Sequence, residues 1–341
     1  MKPIDLAERG IAPDWLIRRG IRALLRRRLR QEHASDPEQQ SRRYRELIEE
    51  LASSAIAIET DKANEQHYEV PAAFYELALG SHLKYSSAYW PDDVHNLDEA
   101  EAAMLEQTCE HADLCDGQDI LELGCGWGSL TLWMASRYPD SRITAVSNSE
   151  SQRAYILSRA MDLGLHNVEV MTCDVNELQL DRQFDRVVSV EMFEHVRNYR
   201  ELLARVAGWM KPQARLFVHI FCHRYLAYPF ETEGEGNWMG KYFFTGGLMP
   251  AADTLLHFSD EVQVEKRWLL SGHHYARTAR AWLDNVDSRR HEVRQVMESV
   301  YGNDAAVWQQ RWRMFFMACE ELFAFDGGNA WLVAHYRFRR R

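Results

Sequence analysis

The run Leu121, Glu122, Leu123, Gly124, Cys125, Gly126, Trp127, Gly128 constrains this chain more than any other stretch. An apolar segment, Ile120 to Leu123, leads into it and a helical pattern, Ser129 to Arg137, leads out, so the glycines occupy a strand-to-helix turn. Glycine there admits left-handed backbone and lets a ligand come close to the main chain. The spacing is Gly-x-Gly-x-Gly, not the Gly-x-Gly-x-x-Gly that seats a pyrophosphate on a helix N-terminus. With Glu122 two positions before Gly124, the loop suits a cationic amino-acid moiety better than a diphosphate. Glu122, Gly124 and Gly126 are therefore candidate cofactor contacts.

The surrounding pattern extends this turn into a fold. Apolar runs at Ile120 to Leu123, Arg142 to Val146, Val168 to Thr172, Phe184 to Val190 and Arg215 to Phe221 alternate with helical segments at Ser129 to Arg137, Ser149 to Leu163 and Tyr199 to Met210. Strands alternating with helices predict an α/β fold with a parallel, doubly wound, Rossmann-like sheet. The division expected is a helical N-terminal cap over 1–117, a cofactor-binding core over 118–221, an aromatic and helical lid over 222–329, and a closing strand with its tail over 330–341. Within the cap, Arg18, Arg19, Arg22, Arg26, Arg27, Arg28 and Arg30 interleave with Ile17, Ile21, Leu24, Leu25 and Leu29 as a basic amphipathic helix. Such a helix either packs on the main domain with a solvated face or touches a membrane surface. A second helix follows from Glu38 to Ser53, entered through Asp36 and Pro37. In the lid, two helices are expected, Tyr275 to Tyr301 and Asp304 to Phe323.

Composition narrows the partners. The 341 residues carry 40 Lys and Arg against 51 Asp and Glu, a net charge of -11, which argues against nucleic acid and for a cationic small molecule. The six cysteines include no Cys-x-x-Cys pair, so neither a zinc knuckle nor a disulfide framework is indicated. The reading is cytoplasmic, with no signal peptide and no apolar run of spanning length.

The glycine loop resembles the nucleotide-binding loop of class I S-adenosylmethionine methyltransferases, a resemblance that implies a carboxylate gripping the ribose after the second strand; here Ser147 and Asn148 stand there, and Asn148 with Gln152 can supply amide donors and acceptors instead. Asp174 is a candidate for an adenine amino group, with Val175 as its apolar neighbour. After the fourth strand come Glu191, Met192, Phe193, Glu194 and His195, at the sheet edge where open α/β sheets bind ligands. Two carboxylates and an imidazole so close suit substrate binding and proton removal. A Glu-x-x-Glu-His metal site and a polar strand cap are the alternatives; no further ligand spacing supports a metal.

The segments Asp61, Lys62, Ala63, Asn64, Glu65, Gln66, His67, Tyr68, Leu83 to Trp90, the glycine loop, Glu191 to Val196 and Val218 to Cys222 together resemble the cyclopropane fatty acid synthase superfamily, and within it the coclaurine N-methyltransferase branch. The resemblance covers nearly everything after about residue 55. It implies a seven-stranded class I methyltransferase core, S-adenosylmethionine as methyl donor and S-adenosylhomocysteine as product. Carried onto this sequence, Tyr85, Ser86, Gly124, Asn148, Gln152, Asp174 and Val175 would contact the cofactor, while Glu191, Glu194 and His195 would line an amine site. The resemblance also implies a rival function, cyclopropane-fatty-acyl-phospholipid synthesis, whose pocket holds bicarbonate. Glu194, His219 and Tyr275 match that pocket, with Ser87 where a cysteine belongs. The expected reaction is methyl transfer to a small cyclic or aromatic-bearing amine, with His195 as base supported by Glu194, and Glu191 orienting the cation.

Overall fold

Residues 2–58, 70–234 and 236–341 are described in a computed structural model. The 61–68 run that carries part of the resemblance lies outside them. Seven strands make one sheet: β1 (Asp119–Leu123), β2 (Arg142–Ser147), β3 (Val168–Thr172), β4 (Phe184–Val190), β5 (Met210–His223), β6 (Val262–Leu270) and β7 (Trp331–Arg340). Their order is β3-β2-β1-β4-β5-β7-β6. The first five pair in parallel, and β7 lies antiparallel between β5 and β6. β1 and β2 are buried at every position but the first, as a sheet covered on both faces requires. Helices 97–112 and 129–137 cover one face through Leu105, Cys109 and Met134. Helices 37–53 and 199–209 cover the other through Leu51, Leu202 and Val206. The strand order reverses between β1 and β4, which opens a crevice at their C-terminal ends.

Two expectations for 222–329 are corrected. The interval does not only cover the site, because β6 within it joins the sheet. β6 carries Glu265, Lys266 and Arg267 and is mostly exposed, so the alternation that marks a half-buried strand is missing. A charged edge of this kind discourages pairing with other chains. The single helix expected over 275–301 is two, Gly272–Ser288 and Arg290–Tyr301, separated at Arg289, whose backbone leaves helical geometry.

A third apolar cluster, including Phe74, Tyr75, Trp282, Trp312 and Phe316, joins helices 72–78, 272–288 and 305–323 into a cap beside the crevice. The basic helix Asp14–Glu32 lies on helix 305–323. Arg18 and Arg22 pair with Glu320 and Glu321, Arg28 pairs with Glu32 and donates to Asn237 Oδ1 at 2.9 Å, and Arg19, Arg26, Arg27 and Arg30 face outward. Arg313, 6% exposed, fastens the layers by donating to Asp287 at 2.5 and 2.9 Å and to Asp14 at 2.7 Å. Truncation to Arg313→Ala removes the cation that Asp14 and Asp287 share and leaves Asp287 only Arg290, at 3.7 Å. Because both are partly exposed, the expected loss is about 2–3 kcal/mol rather than the full cost of breaking a buried pair. Urea unfolding of the variant beside the parent measures it.

Candidate active site

The glycine loop is left-handed at three positions, with φ of 79° at Gly124, 53° at Gly126 and 84° at Gly128. Gly124 and Cys125 both donate their N–H to Val146 O at 3.0 Å, which bends the loop back over β2. A Cβ on Gly124 would lie 2.7 Å from Met192 Cβ, and one on Gly128 would lie 2.6 Å from Ile156 Cγ1. Among the described residues, nothing stands within 4 Å of a Cβ on Gly126. A cavity of about 200 Å³ runs from this loop toward Tyr275 and Phe315. Tyr85, Ser86, Glu122, Asn148, Gln152, Val175, Glu191, Glu194 and His195 all line it.

Gln152 is fully buried: its Oε1 accepts from Ser147 Oγ at 2.6 Å, and its Nε2 has no hydrogen-bond partner among the described residues. An amide donor left open in a cavity fits a ligand hydroxyl, as a ribose would supply. Glu122 is likewise buried. Thr131 Oγ1 donates to its Oε2 at 2.5 Å, and burial pushes its carboxyl up to about 8. An incoming cation would relieve that cost. These two side chains and the open face of Gly126 fit a nucleoside carrying a cationic amino-acid tail.

Asp174 does not line the cavity. Its Oδ1 accepts from the Asn176 N–H at 2.7 Å, while the neighbours Cys173 and Val175 face the space.

The second cluster centres on Glu191, whose φ of 47° is left-handed without a glycine's freedom. Its N–H donates to His219 O at 2.9 Å, which pins the strained residue to β5. The carboxylate collects donors from three elements. Oε1 accepts from Ser87 N–H at 2.9 Å and lies 3.1 Å from His219 Nε2; Oε2 accepts from Tyr275 OH at 2.6 Å. The pocket expected of Ser87, His219 and Tyr275 therefore closes around Glu191 rather than Glu194. Ser87 and His219 lie behind this carboxylate, away from the cavity, and Ser87 contributes its backbone because its hydroxyl is turned to Ala88 O. Burial raises the Glu191 carboxyl, opposed by Lys84 and the hydrogen bonds.

Glu194 is also corrected. Among the described residues neither of its buried oxygens has a hydrogen-bond partner, so it does not hold His195, and burial with the neighbouring Glu191 charge lifts its pKa far above the carboxylate range. His195 lines the cavity and stacks on Phe244, ring centres 5.6 Å apart and planes within 3°.

Lys84 was not singled out from the sequence. It is 2% exposed, donates to Ser86 Oγ and to Ser87 O at 2.7 Å, and places a buried ammonium beside Glu191 and Glu101. A lysine between Leu83 and Tyr85 gives no periodic signal of burial. Among the described residues no group of three or more His, Cys, Asp or Glu side chains could hold a metal.

The profile of the mycolic acid cyclopropane synthetase family matches residues 57–331. The (S)-coclaurine N-methyltransferase of Thalictrum flavum subsp. glaucum is 38% identical, over 98% of this chain and 94% of that protein. A crystal structure of coclaurine N-methyltransferase bound to N-methylheliamine and S-adenosylhomocysteine superimposes with a TM-score of 0.95 at 36% identity, covering 98% of each chain. The cyclopropane-fatty-acyl-phospholipid synthase of Escherichia coli K12 is 32% identical, but over 64% of this chain and 55% of that protein.

The buried Glu122 carboxyl makes stability depend on pH. Unfolded, it ionises near the usual carboxylate pKa; folded, it keeps its proton until about pH 8. The folded state therefore binds the extra proton across that window, and stability falls as pH rises through it. The ligand-free parent should lose about 2–4 kcal/mol between pH 5 and 8.5. Glu122→Gln should flatten part of that slope in urea titrations at the two pH values.

Proposed function

This chain belongs to the mycolic acid cyclopropane synthetase family, and from that premise we propose that it is an S-adenosylmethionine-dependent N-methyltransferase acting on a tetrahydroisoquinoline-like cyclic amine. The observation that carries the reading is the cluster of buried carboxyls, Glu122, Glu191 and Glu194, around a cavity that His195 and aromatic rings share. Such a site attracts cations and offers an imidazole where a proton must be removed.

The cofactor is S-adenosylmethionine, which supplies an electrophilic methyl on a sulfonium and leaves as S-adenosylhomocysteine. Gly124, Gly126, Asn148, Gln152 and Val175 would hold its nucleoside, and Glu122 its amino-acid tail. Tyr85 and Ser86, on the turn that Lys84 braces, would close over it. Glu191, ionised beside the bound substrate ammonium, pairs with the cation and orients it. His195 then takes the ammonium proton, which frees the nitrogen lone pair for in-line attack. Phe244, stacked on His195, fixes the ring plane and offers its face to a cation. Positioning and desolvation supply most of the acceleration.

The rival lipid reaction has less support. Glu191 already fills the space between Ser87 N–H, His219 and Tyr275, where a small anion would sit.

No described helix is long and apolar enough to cross a membrane. The outward arginines Arg19, Arg26, Arg27 and Arg30, beside exposed Trp15 and Leu16, support reversible contact of a cytoplasmic protein with an anionic lipid surface. Each arginine is worth about 1 kcal/mol near such a surface. Replacing all four by glutamine should cost on the order of a thousandfold in affinity for anionic vesicles in a sedimentation assay, and neutral vesicles should not bind.

For the reaction itself, His195→Ala should lower the rate of amine methylation on the order of 10²–10⁴-fold. Alkaline buffer should restore part of it by deprotonating the free amine. The assay incubates labelled S-adenosylmethionine with panels of cyclic amines and of unsaturated phospholipids, and reads products by mass spectrometry. Cyclopropane product without amine methylation would overturn the reading.

A further inference from the structure

Behind Glu191 lies a row of buried imidazoles that the reaction just described does not use. His219 on β5 and His335 on β7 are opposite each other across the antiparallel pair, and both are fully buried. His219 Nε2 is 3.1 Å from Glu191 Oε1, and its Nδ1 is 2.8 Å from His335 Nε2. His335 Nδ1 is 2.8 Å from Nδ1 of His111, in the last turn of helix 97–112. His111 is only half-buried, and its ring stacks on Trp268 of β6, centroids 3.9 Å apart. The row leads from the pocket carboxylate, across the sheet, to a ring at the protein surface.

A neutral imidazole has one N–H and one lone pair, so each contact dictates the next. With Glu191 ionised, His219 carries its proton on Nε2. Its Nδ1 then accepts from His335 Nε2–H, and His335 Nδ1 accepts from His111 Nδ1–H. With Glu191 protonated toward His219, every tautomer is inverted and His111 carries its proton on Nε2. The two states differ by one proton, gained or lost at the outer nitrogen of His111. Neither state needs a charged histidine. That agrees with the environment: burial, then Lys84, holds His219 far below its ordinary range, and burial with its imidazole neighbours does so for His335. Burial with Arg337 and Lys266 lowers His111 to about 4. Glu191 itself faces Lys84, Glu194 and Tyr275.

On the amine reading above, we infer that His219, His335 and His111 are a proton conduit through which Glu191 releases its proton to solvent when a cationic amine enters and regains it when the methylated cation leaves. On entry the Glu191 O–H bond breaks and His219 Nε2–H forms. The proton on His219 Nδ1 passes to His335 Nε2, that on His335 Nδ1 to His111 Nδ1, and that on His111 Nε2 to water. Departure of the product reverses each transfer, so the tautomers reset without any ring turning over. His335 and His111 touch neither substrate nor cofactor; they are positioning residues that act through His219.

Nitrogen-15 NMR of histidine-labelled full-length protein reads these tautomers with no amine present. As pH falls through the Glu191 titration, His111 should change from the Nδ1–H to the Nε2–H form. Glu191→Gln should abolish the change, and His335→Phe, which keeps a ring in the space, should uncouple His111 from it. A His111 tautomer that stays fixed in the parent, or still changes in Glu191→Gln, overturns the conduit. In a second arm, stopped-flow mixing with a cyclic amine and a pH indicator follows the released proton. Release should slow about tenfold or more in His335→Phe and His111→Ala, with imidazole rescuing the latter. Unchanged affinity for S-adenosylhomocysteine verifies the fold of both variants, and release as fast as the parent's in both overturns the conduit. Tautomer coupling without proton release by any amine would instead refute the amine reading and leave the coupling standing.

Discussion

The carboxylate of Glu191 is the point at which separate parts of the chain meet. A backbone N–H from the 80–87 turn, an imidazole from β5 and a phenol from helix 272–288 all converge on its two oxygens. The left-handed backbone at Glu191 makes this convergence geometrically available and costs roughly 1–2 kcal/mol of strain. Charge-assisted hydrogen bonds from three directions offset that cost. Cap, sheet and insertion are thereby registered to one another at the atom pair where a substrate cation would be received. Removing the carboxylate would leave three inward-facing donors without an acceptor, so the site cannot relax into a neutral version of itself cheaply.

The charge of the pocket follows from the same architecture. Glu122 ends β1 and Glu191 follows β4, the two strands between which the sheet order reverses. Burial raises both carboxyls, and Glu194 adds a third with no hydrogen-bond partner among the described residues. The protein keeps these groups out of water without matching each by a cation of its own; Lys84 answers only part of the demand. Binding energy for a sulfonium or an ammonium is in this sense stored in the folded chain as unpaid desolvation.

Much of this was legible in the sequence where period and punctuation speak. Parallel strands buried on both faces read as unbroken apolar runs, and the glycines of the loop read as a turn, so β1 to β5 were located within a few residues. Edge strand β6 was invisible because its Glu265, Lys266 and Arg267 face solvent. The break at Arg289 was invisible because neither glycine nor proline marks it. In the site, Glu191, Glu194 and His195 announced themselves by proximity, but which carboxylate turns toward His219 and Tyr275 is decided by the sign of a single φ. Asp174 satisfies its own turn, a local contact that a strand-end position conceals. Lys84 and the pairing of His219 with His335 depend on long-range register, which no local pattern encodes.

The position of β7 has a consequence for how the chain is made. It is the last of the seven strands to be synthesised, yet it lies inside the sheet, with β5 on one side and β6 on the other. Until residues 331–340 emerge from the ribosome, β5 presents an unpaired edge and β6 has nothing to pair with. His335 arrives with that strand, so a nascent chain can shape the glycine loop and the parallel half of the sheet before the imidazole behind Glu191 has its neighbour. The glycine loop thus lies in early sequence, whereas the imidazole that backs His219 and Glu191 lies in late sequence.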